Sequence, residues 1–139
     1  MTTVEQFLVA LALVESRGNP LAWGDFVRPS GTQCPHPAEL HGAQTACLPK
    51  AMGRWQVHPD RLFSELRENR IEPQLGETWD HLIYRVLRAI WAHTGLQEGA
   101  LSCAMYWHLG HWSGPGKPDW CITYAGKFLE ALETVGGTP

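Results

Sequence analysis

The sequence predicts a mainly α chain built as one domain, residues 1–139. Apolar residues recur at helical spacing in five separate stretches. The one long stretch without such a period, residues 21–50, is punctuated by Gly and Pro. A chain of 139 residues with 44% hydrophobic content suits a single core rather than two.

Val4, Phe7, Leu8, Leu11 and Val14 define the first helix, with a cap expected at Thr2 or Thr3 and a stop at Gly18, Asn19 and Pro20. Glu15 follows the apolar run. A carboxylate at the end of a buried helix is partly desolvated, which raises its pKa and suits it to general acid work. The plainer reading is a surface Glu in a last turn.

Residues 21–50, with Gly24, Pro29, Gly31, Pro35, Pro37, Gly42 and Pro49, read as a long irregular insertion. Asp25, His36, Glu39 and His41 lie in it. Cys34, His36 and His41 can be read as metal ligands, but solvated loop histidines are the more common case, and no metal or other cofactor is expected. Residues 51–58 are expected to form a turn-rich floor, where Ala51 and Gly53 allow close backbone approach and Gln56 offers both a donor and an acceptor. Gln56 can equally serve as an amide that stabilises its own turn.

Pro59 and Asp60 open a short helix reaching about Glu68, with Leu62, Phe63 and Leu66 inward and Arg61, Glu65, Arg67 and Glu68 on a solvated face. Thr78 is expected to cap a long helix ending at Gly95, with Trp79, Ile83, Val86, Leu87, Ile90 and Trp91 on its buried stripe. A further helix over residues 97–106 turns Leu101, Ala104 and Met105 inward. After a loop containing His111, Trp112, Gly114 and Pro118, Asp119 is expected to cap the last helix. Its buried stripe is Ile122, Ala125, Phe128, Leu129 and Leu132, and the tail after Val135 is expected to fray.

The net charge of −3 and the lack of a Lys/Arg cluster argue against a nucleic-acid partner. Seven Trp residues are enough for some to line a groove, since sugar rings stack their apolar faces on indoles. The N-terminus lacks a basic segment before a long apolar one, and FLVALALV is too short to span a bilayer, so neither a signal peptide nor membrane insertion is expected. Synthesis in the cytoplasm follows as the expectation. Cys34, Cys47, Cys103 and Cys121 have no zinc-like spacing. The simplest of three pairings joins Cys34 to Cys47 and Cys103 to Cys121, and four reduced thiols is the alternative.

Glu15-Ser16 with Asn19-Pro20 resembles the E-S-x-x-N-P signature of the soluble lytic transglycosylases, a family of the lysozyme-like superfamily that is also similar to goose-type lysozymes. Residues 51–59, AMGRWQVHP, are similar to the family's G-A-M-G-L-M-Q-V-M-P, with Lys50, Arg54, Trp55 and His58 as departures. Residues 104–110, AMYWHLG, resemble a degenerate A-x-Y-N-x-G, and Tyr124-Ala125-Gly126-Lys127-Phe128 resembles Y-V-x-K-V. The four blocks stand in the family's order across nearly the whole chain.

The resemblance implies a lysozyme-like helical fold, a monomer, and peptidoglycan glycan strands as the partner. It implies an enzyme acting at the bacterial wall, reached by holin release of a phage endolysin or by a secretion or conjugation apparatus. In such a reaction one Glu, here Glu15, protonates the oxygen between N-acetylmuramic acid and N-acetylglucosamine. The same Glu then takes a proton from the muramic 6-hydroxyl as a 1,6-anhydro ring closes. Tyr124 matches the family Tyr that approaches this Glu, although a core aromatic with a polar tip would look the same. Ser16, Met52, Gln56, Trp55, Tyr106, Trp107 and His108 are the expected substrate-side residues. Aligned on Gly110, Trp107 stands at the family Tyr and His108 at the family Asn. Trp112 is another candidate for stacking. Two alternatives stay open: a hydrolytic, goose-type-like muramidase using Asp25 as a second carboxylate, and a glycan-binding protein without catalysis.

Overall fold

The computed structural model describes the backbone of residues 1–27, 48–109 and 119–139, and the side chains of residues 1–22, 51–108 and 122–139. The described chain is mainly helical. Helix α1 (Val4–Ser16) is followed by strands β1 (Trp23–Val27) and β2 (Leu48–Met52). Then come α2 (Pro59–Glu68), α3 (Trp79–Ile90), the single turn α4 (Leu96–Glu98), α5 (Ala100–Leu109) and α6 (Asp119–Thr134).

Thr3 caps α1 through a capping box: its hydroxyl accepts from the Gln6 amide, and the Gln6 side chain accepts from the Thr3 amide. At the other end Arg17 adopts a left-handed conformation, φ 57°, and the amides of Arg17 and Gly18 close back on Leu13 and Ala12. The helix therefore ends one residue after Glu15. Asn19 Oδ1 then accepts from the Leu21 amide at 2.9 Å and turns the chain toward β1.

The expected insertion is not irregular throughout. Its two ends pair as an antiparallel ribbon, with Trp23 opposite Met52, Gly24 opposite Ala51, Phe26 opposite Pro49 and Val27 opposite Leu48. Residues 28–47 lie outside the described residues, and with them Cys34, His36, Glu39, His41 and Cys47.

Thr78 caps α3 as expected, its hydroxyl accepting from the His81 amide at 3.1 Å. The α3 axis continues through one π turn, Trp91–Gly95. A side chain at Gly95 would overlap the Trp91 indole, so this turn requires glycine. The wider turn lets the Trp91 ring reach Phe7 of α1, centroids 4.9 Å apart, while Phe7 meets Phe128 of α6 edge-on at 6.1 Å. Around this aromatic centre one core gathers Leu11, Leu62, Ile83, Leu87, Met105 and Leu132, each fully buried or nearly so.

The structure corrects the sequence expectations at several places. Phe63, Trp79 and Ile122 point outward, at 51, 54 and 66% exposure, because the stripes of their helices turn toward other neighbours. Arg61 and Glu65 are not solvated: their side chains are 21 and 6% exposed. The tail is not frayed, since the Ala100 amide donates to Pro139 O at 2.8 Å and the Thr138 amide donates to Thr2 Oγ1 at 2.6 Å. The Thr2 hydroxyl also donates to Thr138 O. Cys103 is a free thiol with no exposure, so the Cys103 to Cys121 pairing is not formed.

Candidate active site

Glu15 lies three residues after Ala12, four after Leu11 and seven after Leu8, all buried, so helical periodicity carries it on the inward stripe of α1. Its side chain is only 13% exposed. Tyr124, delivered by α6, donates its hydroxyl to Glu15 Oε1 at 2.6 Å. Burial raises the Tyr124 pKa well above the tyrosine norm, and the Glu15 charge and hydrogen bond push the same way. Tyr124 is thus a fixed neutral donor.

His108, in the last turn of α5, brings Nδ1 to 3.8 Å from Glu15 Oε1. Its ring lies parallel to the Tyr124 ring, centroids 3.7 Å apart and planes 10° apart. Glu15, Tyr124 and His108 therefore come from three helices to one point, with His108 more exposed than Glu15, at 26%.

The blocks are tied to one another beneath this point. Ser16 Oγ donates to Arg54 O at 2.7 Å, joining α1 to the turn after β2, where it also approaches Ala12 O at 3.3 Å. Ser16 is accordingly a support for the backbone. Trp55 Nε1 donates to Leu8 O, and Trp107 Nε1 donates to Trp55 O, both at 2.9 Å. Trp55 and Trp107 are only 5 and 3% exposed. Both indoles belong to the core, which corrects the expectation that they stack on sugar.

Gln56 adopts a left-handed backbone conformation, φ 47°, and its Nε2 donates to Gly53 O at 2.9 Å, the turn-stabilising role. Gly53, φ 80°, in turn donates its amide to Ala22 O at 2.9 Å and pins this turn to the residue that leads into β1. Met52 is half-buried and lines an apolar pocket of about 490 Å³ with Pro20, Leu21, Trp79 and Ile83. Tyr106 is half-buried, its hydroxyl donating to Glu65 Oε1 at 2.9 Å. The Asp25, Trp112 and Cys121 side chains lie outside the described residues.

Arg61 and Glu65, placed by the sequence on a wet face, instead buttress the site. Arg61 Nη2 donates to Tyr106 O at 2.8 Å, near the C-terminal end of α5, where a cation also meets the negative end of the helix dipole. Its guanidinium sits 4.5 Å from the Trp107 ring centroid and 5.4 Å from that of Tyr106. Glu65, 3.8 Å from Arg61 Nε, also accepts from Asn69 Nδ2 at 3.2 Å. Burial pulls the Arg61 pKa down, against the opposing charges of Glu65, Tyr106, Glu15 and Tyr124. Burial, then Glu65, pushes Tyr106 up to about 12. The sequence carried one signal for this pair: Arg61 and Glu65 form an i, i+4 step flanking the Leu62 and Leu66 stripe.

Chemically, the arrangement presents a mostly buried carboxyl group held by a phenol, with an imidazole beside it. Such a carboxyl can give and take a proton at a bound oxygen. Among the described residues no group of three or more His, Cys, Asp or Glu could hold a metal ion. No helix among them is long and apolar enough to cross a membrane. No protein-family model, curated protein or solved structure matches this chain.

Proposed function

We propose that this chain is a lysozyme-like peptidoglycan lytic transglycosylase. Glu15 protonates the glycosidic oxygen between N-acetylmuramic acid and N-acetylglucosamine, the C1–O bond breaks, and the N-acetylglucosamine side leaves as its 4-hydroxyl. The muramic 6-hydroxyl then closes on C1 as its proton is taken up, and no water is consumed. The neighbouring N-acetyl group helps carry the positive charge at C1, so a second carboxylate is not required.

The observation that supports this reading best is the 2.6 Å hydrogen bond from Tyr124 to Glu15. It joins the first and last motif blocks, 109 positions apart, at the two side chains that the resemblance names as catalytic. Tyr124 fixes the carboxyl orientation, and the Glu15 side chain is only 13% exposed.

The test is release of soluble muropeptides from purified sacculi. Wild-type protein releases them, and Glu15→Gln, which keeps the shape of the side chain but cannot donate an acidic proton, does not. Equal release by the variant would remove Glu15 from the mechanism. Tight sacculus binding without release by either protein would instead make the chain a glycan-binding module.

A further inference from the structure

We propose that His108 is a second catalytic group: the base that takes the proton from the muramic 6-hydroxyl and hands it to Glu15. The inference rests on the transglycosylase reading above and divides between two residues the acid and base roles that the resemblance assigns to one.

Three features of the structure support it. First, His108 Nδ1 stands 3.8 Å from Glu15 Oε1, within ion-pair range. Second, the ring is positioned: it lies flat on Tyr124 at 3.7 Å, and the turn that bears it is held by the Arg61 bond to Tyr106 O and the Trp107 bond to Trp55 O. Third, His108 is twice as exposed as Glu15, 26 against 13%, so of the two it is the more open to a bound molecule. An amide at this position, as in the resembled motif, can neither accept nor release a proton near neutral pH, whereas imidazole does both.

The step balances. Glu15 as the acid gives its proton to the bridging oxygen, the C1–O bond breaks with its electron pair going to that oxygen, and Glu15 becomes a carboxylate. O6 attacks C1, the C1–O6 bond forms, and the O6 proton passes to neutral His108. The resulting imidazolium is paired with the Glu15 carboxylate and transfers a proton to it, restoring both groups. Among the described residues, the titratable and charged groups around His108 are Glu15 from α1 and Tyr124 from α6. Arg61 from α2 lies within electrostatic range of both and is itself paired with Glu65.

This division of roles needs the Glu15–His108 pair to hold one proton, so kcat/KM falls toward acid as the pair gains a second proton and toward base as it loses the first. The experiment measures kcat, KM and their pH dependence for wild type, His108→Asn and His108→Gln on soluble N-acetylglucosamine–N-acetylmuramic acid oligomers, with product masses recorded and near-UV circular dichroism as the check on folding. The expected result for both variants is a kcat loss of about 100-fold at near-constant KM and disappearance of the acid limb, with the base limb kept. Either variant retaining kcat within about threefold, or losing kcat while its acid limb persists, would overturn the role of His108. Wild-type products without the anhydro end would sink the transglycosylase reading instead, so the two failures are distinguishable.

Discussion

Tyr124 Oη stands 2.6 Å from Glu15 Oε1, although 109 positions separate the two residues in the chain. The contact exists because α1 and α6 pack along their apolar stripes, with Phe7 against Phe128, and so bring the two polar ends to the same level. Tyr124→Phe removes the donor while keeping the ring. We expect a kcat loss of about 10–100-fold with little change in KM, and a stability loss of about 1–2 kcal/mol by urea unfolding.

The same burial has an alkaline consequence. The Tyr124 pKa is raised well above 10, and Tyr106 is raised to about 12. A phenol whose folded pKa exceeds its unfolded one contributes stability that is complete below the ordinary value near 10 and is lost as pH rises through the folded value. Of the three tyrosines, at least two are therefore expected to ionise late in a titration followed at 295 nm, and together only when the fold gives way. Normal titration of all three near pH 10 would contradict the packing described for α5 and α6.

Trp55 and Trp107 distinguish core from substrate platform. Each is buried and donates its indole N–H to a buried carbonyl. Trp55→Phe and Trp107→Phe are each expected to lower stability by about 1–3 kcal/mol through the orphaned carbonyl and lost volume, with KM unchanged. A tenfold rise in KM at undiminished stability would restore the stacking role.

Arg61 and Glu65 form a pair whose halves depend on each other. Arg61→Met leaves the Glu65 carboxylate buried without its cation, and unfolding should show a loss of about 3–5 kcal/mol. Adding Glu65→Gln to that variant should recover a measurable part, because the uncompensated charge is gone. Strict additivity of the two substitutions would show that the ion pair has no energetic coupling.

These residues also mark how far the sequence was legible. Helical periodicity gave all the long helices, and Thr78 and Pro59 announced their starts, because capping and φ restriction are local effects. The β1–β2 ribbon was not legible: its strands are separated by 20 residues, and Gly24 and Pro49 read as breakers rather than as partners in a ladder. Faces were harder still. A helical wheel shows a stripe but not what covers its borders, so Arg61 and Glu65 were placed in water and Phe63 and Trp79 in the core. At the site, the resemblance led to Glu15 and Tyr124, and the stacking of His108 on Tyr124 required the structure.

Cys103 offers a check on the core itself. It has no exposed surface, and burial, helped by Glu98, pushes the thiol up to about 12. Its stabilising effect is complete below the ordinary thiol value near 9 and declines through the folded value, by about 1.4 kcal/mol per pH unit between the two. Cys103→Ala should flatten this part of the stability curve. In native wild-type protein the Cys103 thiol should resist a thiol-specific reagent until unfolding, read by mass spectrometry of its peptide.

The most direct test of the central claim is the mass of muropeptides released from purified peptidoglycan, with Glu15→Gln alongside. Chains ending in 1,6-anhydromuramic acid are expected, absent when Glu15 is replaced. Reducing ends heavier by one water would contradict it, making the chain a hydrolytic muramidase and directing attention to Asp25 as the second carboxylate.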